Sequence, residues 1–133
     1  MKESDPYLRT ELHYAALEND SRRLVSRLDN GDDIDAQDVQ GFTALHLACQ
    51  ANAVEAARIL LDRGASLSIV NRFGNTPLFV AVANSQGAGE LITLLRERGA
   101  DPRTVNKHGQ TPVGLARLIA NYNVEKFFAD LPD

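Results

Sequence analysis

The sequence predicts an all-α solenoid, a fold in which short helix–turn–helix units stack side by side. A Thr-Ala-Leu-His-Leu-Ala motif at residues 43–48 returns 33 residues later, at 76–81, and a further 35 residues on, at 111–116. A degenerate copy stands 33 residues upstream, at residues 10–15. Self-similarity at a fixed period of this size is the signature of a stacked repeat array.

A second marker keeps the same spacing along the chain. A glycine follows each of the first three motif threonines by 21 to 23 residues, at Gly31, Gly64 and Gly99. The helices that fit between these markers are only about two or three turns long, so none can bury its apolar side alone. Stacking of neighbouring units is therefore expected to create one continuous core.

The unit at residues 38–70 shows how the first part of each repeat is expected to form. It opens with a turn in which Gly41 stands where a positive φ is required. Thr43 can cap a helix by accepting freed backbone N–H groups, so a first helix is expected from Ala44 to about Ala51. In the next two repeats a proline follows the threonine, at the first helical position, where its missing N–H costs nothing: Pro77 and Pro112.

A second helix is expected in the same unit, from about Val54 to Arg63. Its stack-facing residues are predicted to be Ala57, Leu60 and Leu61. Gly64 supplies a left-handed turn that ends the helix. Residues 65–71 then project a hairpin-like finger into the next repeat.

Residues 1–133 are predicted to form a single repeat domain. Its four repeats are placed at 5–37 (an N-terminal cap), 38–70, 71–105 and 106–133 (a C-terminal cap). The longer spacing in the third repeat locates a two-residue insertion within residues 84–89, between the two helices. That loop is either functional, as insertions in repeat arrays often are, or a tolerant Ser/Gly/Ala-rich connection.

These motifs resemble those of the ankyrin-repeat family, over roughly residues 5 to 130. The resemblance implies that His13 and His46 bond backbone groups and the threonine hydroxyl between adjacent fingers. The first repeat departs from the pattern, with Leu8 in place of the turn glycine. Phe79 replaces the motif histidine in the third repeat, so finger bonding is expected to differ there.

The fourth repeat departs further from the family pattern. Gly114 stands at the histidine position, and the closing Gly-Ala pair is absent. Terminal repeats are expected to be atypical caps. Phe127 and Phe128 are predicted to close the core at this end.

Composition and charge narrow the function classes. The chain is 44% hydrophobic and 24% charged, as in ordinary soluble domains, with no run near the roughly 18 apolar residues of a membrane span. The N-terminus is not followed by the apolar segment that a secretory signal would have. Cys49 is the single cysteine, so an intramolecular disulfide is ruled out, and it falls in a small-residue core position. We therefore expect a cytoplasmic protein.

The net charge of −4 is unevenly distributed. Residues 1–38 carry ten acidic and five basic side chains, and the rest of the chain is close to neutral. An acidic first repeat disfavours nucleic-acid binding, which needs a basic track along the phosphates, and is compatible with a basic protein partner.

No chemistry-bearing constellation stands out, so we expect neither an enzyme nor a cofactor or metal site. His13 and His46 belong to the motif, and no His/Cys/acid cluster has metal-ligand spacing. The acidic run from Asp29 to Asp38 lacks the alternation and terminal glutamate of a calcium-binding loop.

The resemblance implies a partner surface on the concave side, made of the finger tips and the exposed sides of the first helices. The candidate contacts in repeats two to four are Val39, Gln40, Phe42, Gln50, Ala51, Arg72, Phe73, Asn75, Ala83, Asn84, Lys107, His108 and Gln110, with Leu17 and Glu18 in repeat one. Phe42, Phe73 and Arg72 are residue types that dominate binding hot spots, although an aromatic beside the turn can instead pack on the neighbouring finger. Acidic side chains of the first finger are either attractors of a basic partner or a solvated surface: Asp33, Asp35 and Asp38.

We expect a chain that starts at Met and holds only four repeats to act by binding, as a monomer on its own. One hypothesis is an adaptor or inhibitor of a folded protein, and its narrower form is an immunity protein that occludes a cognate toxin, because small stand-alone ankyrin proteins of bacteria include such inhibitors. The alternative is a structural or assembly subunit of a larger complex. Fold analogy cannot choose the partner, because arrays of this kind vary their surface residues.

Overall fold

The structure, a computed structural model, describes residues 5–119 and 121–132, and within them it contains seven α-helices, one 3₁₀-helix and no β-strand. The elements are α1 Glu11–Leu17, α2 Ser21–Asp29, α3 Ala44–Gln50, α4 Val54–Asp62, α5 Pro77–Asn84, α6 Glu90–Glu97, α7 Pro112–Leu118 and the 3₁₀-helix Glu125–Phe128. The predicted all-α solenoid is confirmed.

The helices form two layers that run along the stack. In one layer the first helices of successive repeats pack in order, α1 on α3, α3 on α5 and α5 on α7. In the other layer α2 packs on α4 and α4 on α6, while the 3₁₀-helix packs on α7. Each first helix buries the apolar residue that follows its threonine by two positions: Leu12, Leu45, Leu78 and Val113.

The motif threonines begin the first helices, as predicted. In all four repeats the threonine hydroxyl accepts a hydrogen bond from the backbone N–H three residues on, and these caps are Thr10, Thr43, Thr76 and Thr111. Pro77 and Pro112 occupy the predicted first helical position. A threonine cap contributes about 1 kcal/mol to helix stability.

The helix ends differ from the predicted ends by one residue. Helix α3 ends at Gln50 and α4 at Asp62, because Ala51 and Arg63 are the C-caps. Gly64 has a φ of 90°, as the predicted left-handed turn requires. Of the residues predicted to face the stack, Ala57 and Leu60 are fully buried and Leu61 is half-buried.

The hairpin-like finger expected at residues 65–71 contains a bend and no β-strand. The features that stack along the array are tight turns of five residues, which we call fingers and number one to four at 5–9, 38–42, 71–75 and 106–110. In every finger the first residue has a side-chain oxygen that accepts from the backbone N–H groups two and four residues on, and these residues are Asp5, Asp38, Asn71 and Asn106. The side chains therefore set the same turn four times.

One backbone hydrogen bond joins each finger to the next. The N–H groups of Val39, Arg72 and Lys107 donate to carbonyl oxygens of the preceding finger, over 2.7, 2.9 and 3.0 Å. At Gly41 an added Cβ would lie 3.0 Å from the Cα of Asn71, so glycine is needed there both for φ and for space. Leu8 adopts a φ of 56° at the equivalent place in finger one, a left-handed conformation that is strained for leucine.

The connection between the two helices of the third repeat is two residues longer than that of the second repeat. Residues 85–89 connect α5 to α6, whereas residues 51–53 connect α3 to α4. The longer loop packs against the C-terminal end of the chain: the Tyr122 ring lies over Gly87 and the Phe127 ring over Gly89. A side chain at Gly89 would collide with that ring.

The C-terminal cap closes the core with one phenylalanine rather than two. Phe128 is 1% exposed, whereas Phe127 is half-buried at the edge of the core, against the insertion loop. Arg96 of α6 holds this end: its guanidinium pairs with both carboxylate oxygens of Asp130, at 2.7 and 2.9 Å, and donates to the Phe127 carbonyl oxygen.

Cys49 occupies the predicted core position. The thiol is buried and free, and burial raises its pKa far above the ordinary value. Among the described helices, none has both the length and the apolar character needed to cross a bilayer.

Candidate partner-binding surface

The motif histidines are structural, as the resemblance implied. The Thr43 backbone N–H donates to Nδ1 of His46 over 3.1 Å, so Nδ1 is unprotonated and Nε2 carries the hydrogen that it donates to the Asn75 carbonyl oxygen at 2.9 Å. His13 repeats the arrangement, with Nε2 reaching carbonyl oxygens of residues 36 and 42. Burial lowers the pKa of His46 to about 4, so the ring is neutral.

The fingers and the first helices together form one surface, here called the finger–helix face. At its middle lies a groove of about 290 Å³ between the second and third repeats. We call it the central groove, and it is lined by Phe42, Gln50, Asn71, Phe73, Asn75, Phe79, Val80, Ala83 and Asn84.

The central groove brings together six of the side chains predicted as partner contacts: Phe42, Gln50, Phe73, Asn75, Ala83 and Asn84. The other three lining residues, Asn71, Phe79 and Val80, were not predicted as contacts. They occupy motif positions, which the sequence assigned to the turn and the core. The signal that could have found them is Phe79, an aromatic side chain where the motif has histidine.

The remaining predicted contacts lie outside the groove. Six of them are exposed: Val39, Ala51, Arg72, Lys107, His108 and Gln110. Gln40 is half-buried. Arg72 lies over the Phe73 ring, with 4.8 Å from Cζ to the ring centroid, so it is held beside the groove. In repeat one Leu17 is half-buried and Glu18 forms an exposed ion pair with Arg23.

The two phenylalanines predicted as hot spots differ in their structural role. Phe42 is half-buried, packs against the core and meets the His46 ring edge-on at 5.6 Å between centroids. Phe73 is half-buried beneath Arg72 and contributes to the groove. Truncation of Phe42 is therefore expected to affect folding as well as binding, whereas truncation of Phe73 should affect binding more selectively.

Side chains also link the fingers, at two of the three junctions. Between fingers one and two, Arg9 Nε pairs with Asp38 Oδ2 at 3.2 Å. Between fingers three and four, Asn106 Nδ2 donates to Asn75 Oδ1 at 2.8 Å, so bonding at this junction uses amides where Phe79 has replaced the histidine. At the middle junction Phe42 occupies the position equivalent to Arg9 and Asn75, and it lines the central groove together with Asn71. Asn71 Nδ2 is the one buried side-chain polar atom in the described ranges that lacks a hydrogen-bond partner.

The acidic residues of the first repeat are more engaged than the sequence predicted. Asp38 is not a solvated attractor of a partner, because it is buried and bonded to Arg9 and to its own turn. Asp35 is half-buried and accepts from the Ser66 N–H, while Asp33 is exposed and accepts from the Asp35 N–H. A contact of Asp33 and Asp35 with a partner stays a prediction.

The central groove suits recognition rather than reaction. Its lining consists of apolar and amide side chains and includes no titratable group. In residues 5–119 and 121–132, no group of three His, Cys, Asp or Glu side chains is placed to hold a metal ion. The groove can therefore offer apolar contact and amide hydrogen bonds to a partner.

Comparison with known families matches residues 12–106 to three copies of the ankyrin repeat. Together with the stacked helix pairs, this shows that the chain belongs to the ankyrin-repeat family. Ankyrin repeats are protein–protein interaction modules, and the family is generally non-catalytic.

Individual relatives match this chain over only a part of their own length. An ankyrin repeat protein of fowlpox virus is 39% identical over 50% of the chain and 15% of its own length. The mouse B-cell lymphoma 3 protein homolog is 33% identical over 61% of the chain and 19% of its own length. Mouse protein phosphatase 1 regulatory subunit 12A is 36% identical over 54% of the chain and 7% of its own length. The match thus spans less than a fifth of these relatives.

Proposed function

We propose that the chain is a non-catalytic interaction module that binds a folded protein partner through its concave side, which corresponds to the finger–helix face. The observation that carries this proposal is the central groove, where six predicted contacts meet and half-buried aromatic rings lie beside the exposed amides of Gln50 and Asn84. A few well-placed aromatic and Arg side chains supply most of the energy of a typical interface.

The narrower proposal is an inhibitor that occludes its target in the cytoplasm, in the manner of an immunity protein and a cognate toxin. One relative is named as a regulatory subunit of protein phosphatase 1, which supports a regulatory role for such arrays. A basic partner remains a prediction that rests on Asp33 and Asp35. The prediction of a basic partner is weakened by Asp38, because its carboxylate already pairs with Arg9 of the same chain.

The alternative is a structural or assembly subunit. Regularly stacked repeats can contact neighbours at both ends as well as across the finger–helix face. In that case the chain would be recovered with several components of one complex, whereas an inhibitor would be recovered with a single dominant partner.

The test is a pull-down with the tagged chain from a lysate of its source organism, compared between two tryptophan variants. Ala83→Trp fills the central groove at an exposed alanine, and Thr93→Trp places the same ring at an exposed position of α6, in the other layer. We expect the wild type and Thr93→Trp to recover the partner and Ala83→Trp to lose about tenfold or more in recovery.

If Ala83→Trp still recovers the partner and its helical circular-dichroism melt is unchanged, the proposal that the finger–helix face binds the partner is wrong. Phe73→Ala gives a second measure, since it should weaken binding and leave the melt nearly unchanged. A single dominant basic protein would favour the inhibitor, and several proteins of one complex would favour the assembly subunit.

A further inference from the structure

The middle finger junction lacks the polar side-chain contact that stabilises each of the other two junctions. Arg9, Phe42 and Asn75 are the fifth residues of successive fingers, and Arg9 and Asn75 each pair with the first residue of the next finger. The polar pair at the outer junctions is replaced in the middle by Phe42, which cannot accept from Asn71. A buried donor without a partner costs about 1–3 kcal/mol, and such groups are rare in native structures.

Phe42, which leaves the middle junction without a polar bridge, also forms part of the apolar lining of the central groove. Phe42 and Phe73 lie on the finger side and Phe79 and Val80 on the helix side. An amide at residue 42 would restore the bridge, because its oxygen can accept from Asn71, but it would remove this aromatic wall. The middle junction therefore lacks a stabilising polar contact and has a groove lined by aromatic side chains in its place.

The charge around the groove has one sign. Among the predicted contacts of repeats two to four, the permanently charged side chains are Arg72 and Lys107, both exposed, and no carboxylate is included. The nearest finger carboxylate, Asp38, is buried against Arg9. This part of the face is thus locally basic, although the chain as a whole is acidic.

We infer that the central groove binds an acidic, apolar segment of the partner, with a Leu- or Phe-type side chain seated between Phe42 and Phe73 and a carboxylate paired with Arg72. This segment contacts repeats two and three, so it is compatible with a partner whose basic surface faces Asp33 and Asp35 of the first repeat. The Phe73 ring positions the guanidinium, and an Arg–carboxylate pair can be bidentate. Lys107 on the next finger adds attraction for a second acidic group and speeds encounter. This inference rests on the proposed binding function and specifies the partner's chemistry.

The first arm of the test asks whether Phe42 has been retained for binding. Phe42→Asn places at residue 42 the side chain that bridges the next junction at Asn75. We expect Phe42→Asn to melt at a higher temperature than Phe42→Ala, because its amide can accept from Asn71. Both variants should lose binding to the same extent.

The second arm identifies the ligand chemistry with a phage-displayed library of random dodecapeptides, selected on the wild-type chain. We expect enriched peptides to combine Leu or Phe with Asp or Glu. Their affinity should fall about tenfold or more in Phe42→Asn and in Arg72→Glu, and hardly at all in Arg22→Glu, a matched reversal at an exposed arginine of α2. Their affinity for the wild type should also fall as salt is raised.

Enrichment of basic or acid-free peptides, or of peptides that bind Phe42→Asn as well as the wild type, would overturn the inference. A selection that enriches no groove-dependent sequence would overturn it too. In each of these cases the Ala83→Trp pull-down still decides the proposed binding function, so the two failures are distinguishable.

Discussion

At the residue scale, His46 ties folding to pH. Its ring is buried and accepts the Thr43 N–H at Nδ1, and both burial and that acceptor role favour the neutral form. Burial, opposed by the Asn75 carbonyl and Asp38, lowers the pKa from 6.5 to about 4. The unfolded chain therefore binds the extra proton first as the pH falls, so the free energy of unfolding decreases between pH 6.5 and about 4.

We expect the free energy of unfolding to be about 2 kcal/mol lower at about pH 5 than at about pH 7, from His46 alone. Urea denaturation at the two pH values measures this difference. His46→Phe, which copies the residue at Phe79, is the control, because it should lower stability at both pH values and reduce the pH difference. An equal difference in the wild type and His46→Phe would contradict the assignment.

The roles of the two motif histidines could be predicted from the sequence because the motif around them resembles that of the ankyrin-repeat family. The unpaired amide of Asn71 could not be predicted from the sequence. Its partner position is Phe42, about one repeat away, and the pairing becomes visible only when the fingers are in register. Once the register is known, the sequence shows that the fifth residue of a finger is polar in fingers one and three, at Arg9 and Asn75, and aromatic in finger two, at Phe42.

At the element scale, the insertion loop and the C-terminal cap form one packed unit. The sequence predicts extra residues in this loop, because the spacing of the motifs changes there. It could not show that the loop receives Tyr122 and Phe127, since the described part of the fourth repeat has no second α-helix to align with the others. The contacts with Tyr122 and Phe127 give this loop a part in packing, in addition to the two roles that the sequence left open.

Gly89→Ala should test this packing. Gly89 has a negative φ, so alanine is acceptable for the backbone, and its cost should arise from the collision with the Phe127 ring. We expect a loss of about 1–3 kcal/mol, measured by urea denaturation. In a Phe127→Ala background the same change should cost far less, and a cost that stayed the same would show that the ring is not the cause.

At the scale of the whole molecule, stability lies in the contacts between repeats. Because each repeat packs mainly on its neighbours, loss of a central side chain should weaken the entire array. Leu60 of α4 is fully buried in the middle of the stack. The overall architecture and this core position were predictable because the repeat period fixes both.

Leu60→Ala is expected to cost about 2–5 kcal/mol in the free energy of unfolding. Leu118→Ala removes the same atoms at a site that is 70% exposed and should change stability by no more than about 0.5 kcal/mol. Chemical denaturation followed by circular dichroism compares the two. Similar losses would mean that Leu60 is less important to the stack than its burial implies.

The contacts of Tyr122 with Gly87 and of Phe127 with Gly89 also limit how this array can be rearranged by recombination. A duplication of the second repeat would add a unit with an ordinary three-residue connection and leave the end of the chain undisturbed. Removal of the third repeat would instead set the aromatic side chains of the cap against a shorter loop that lacks both glycines. Residues 71–132 should therefore be transferred as one block in any chimera.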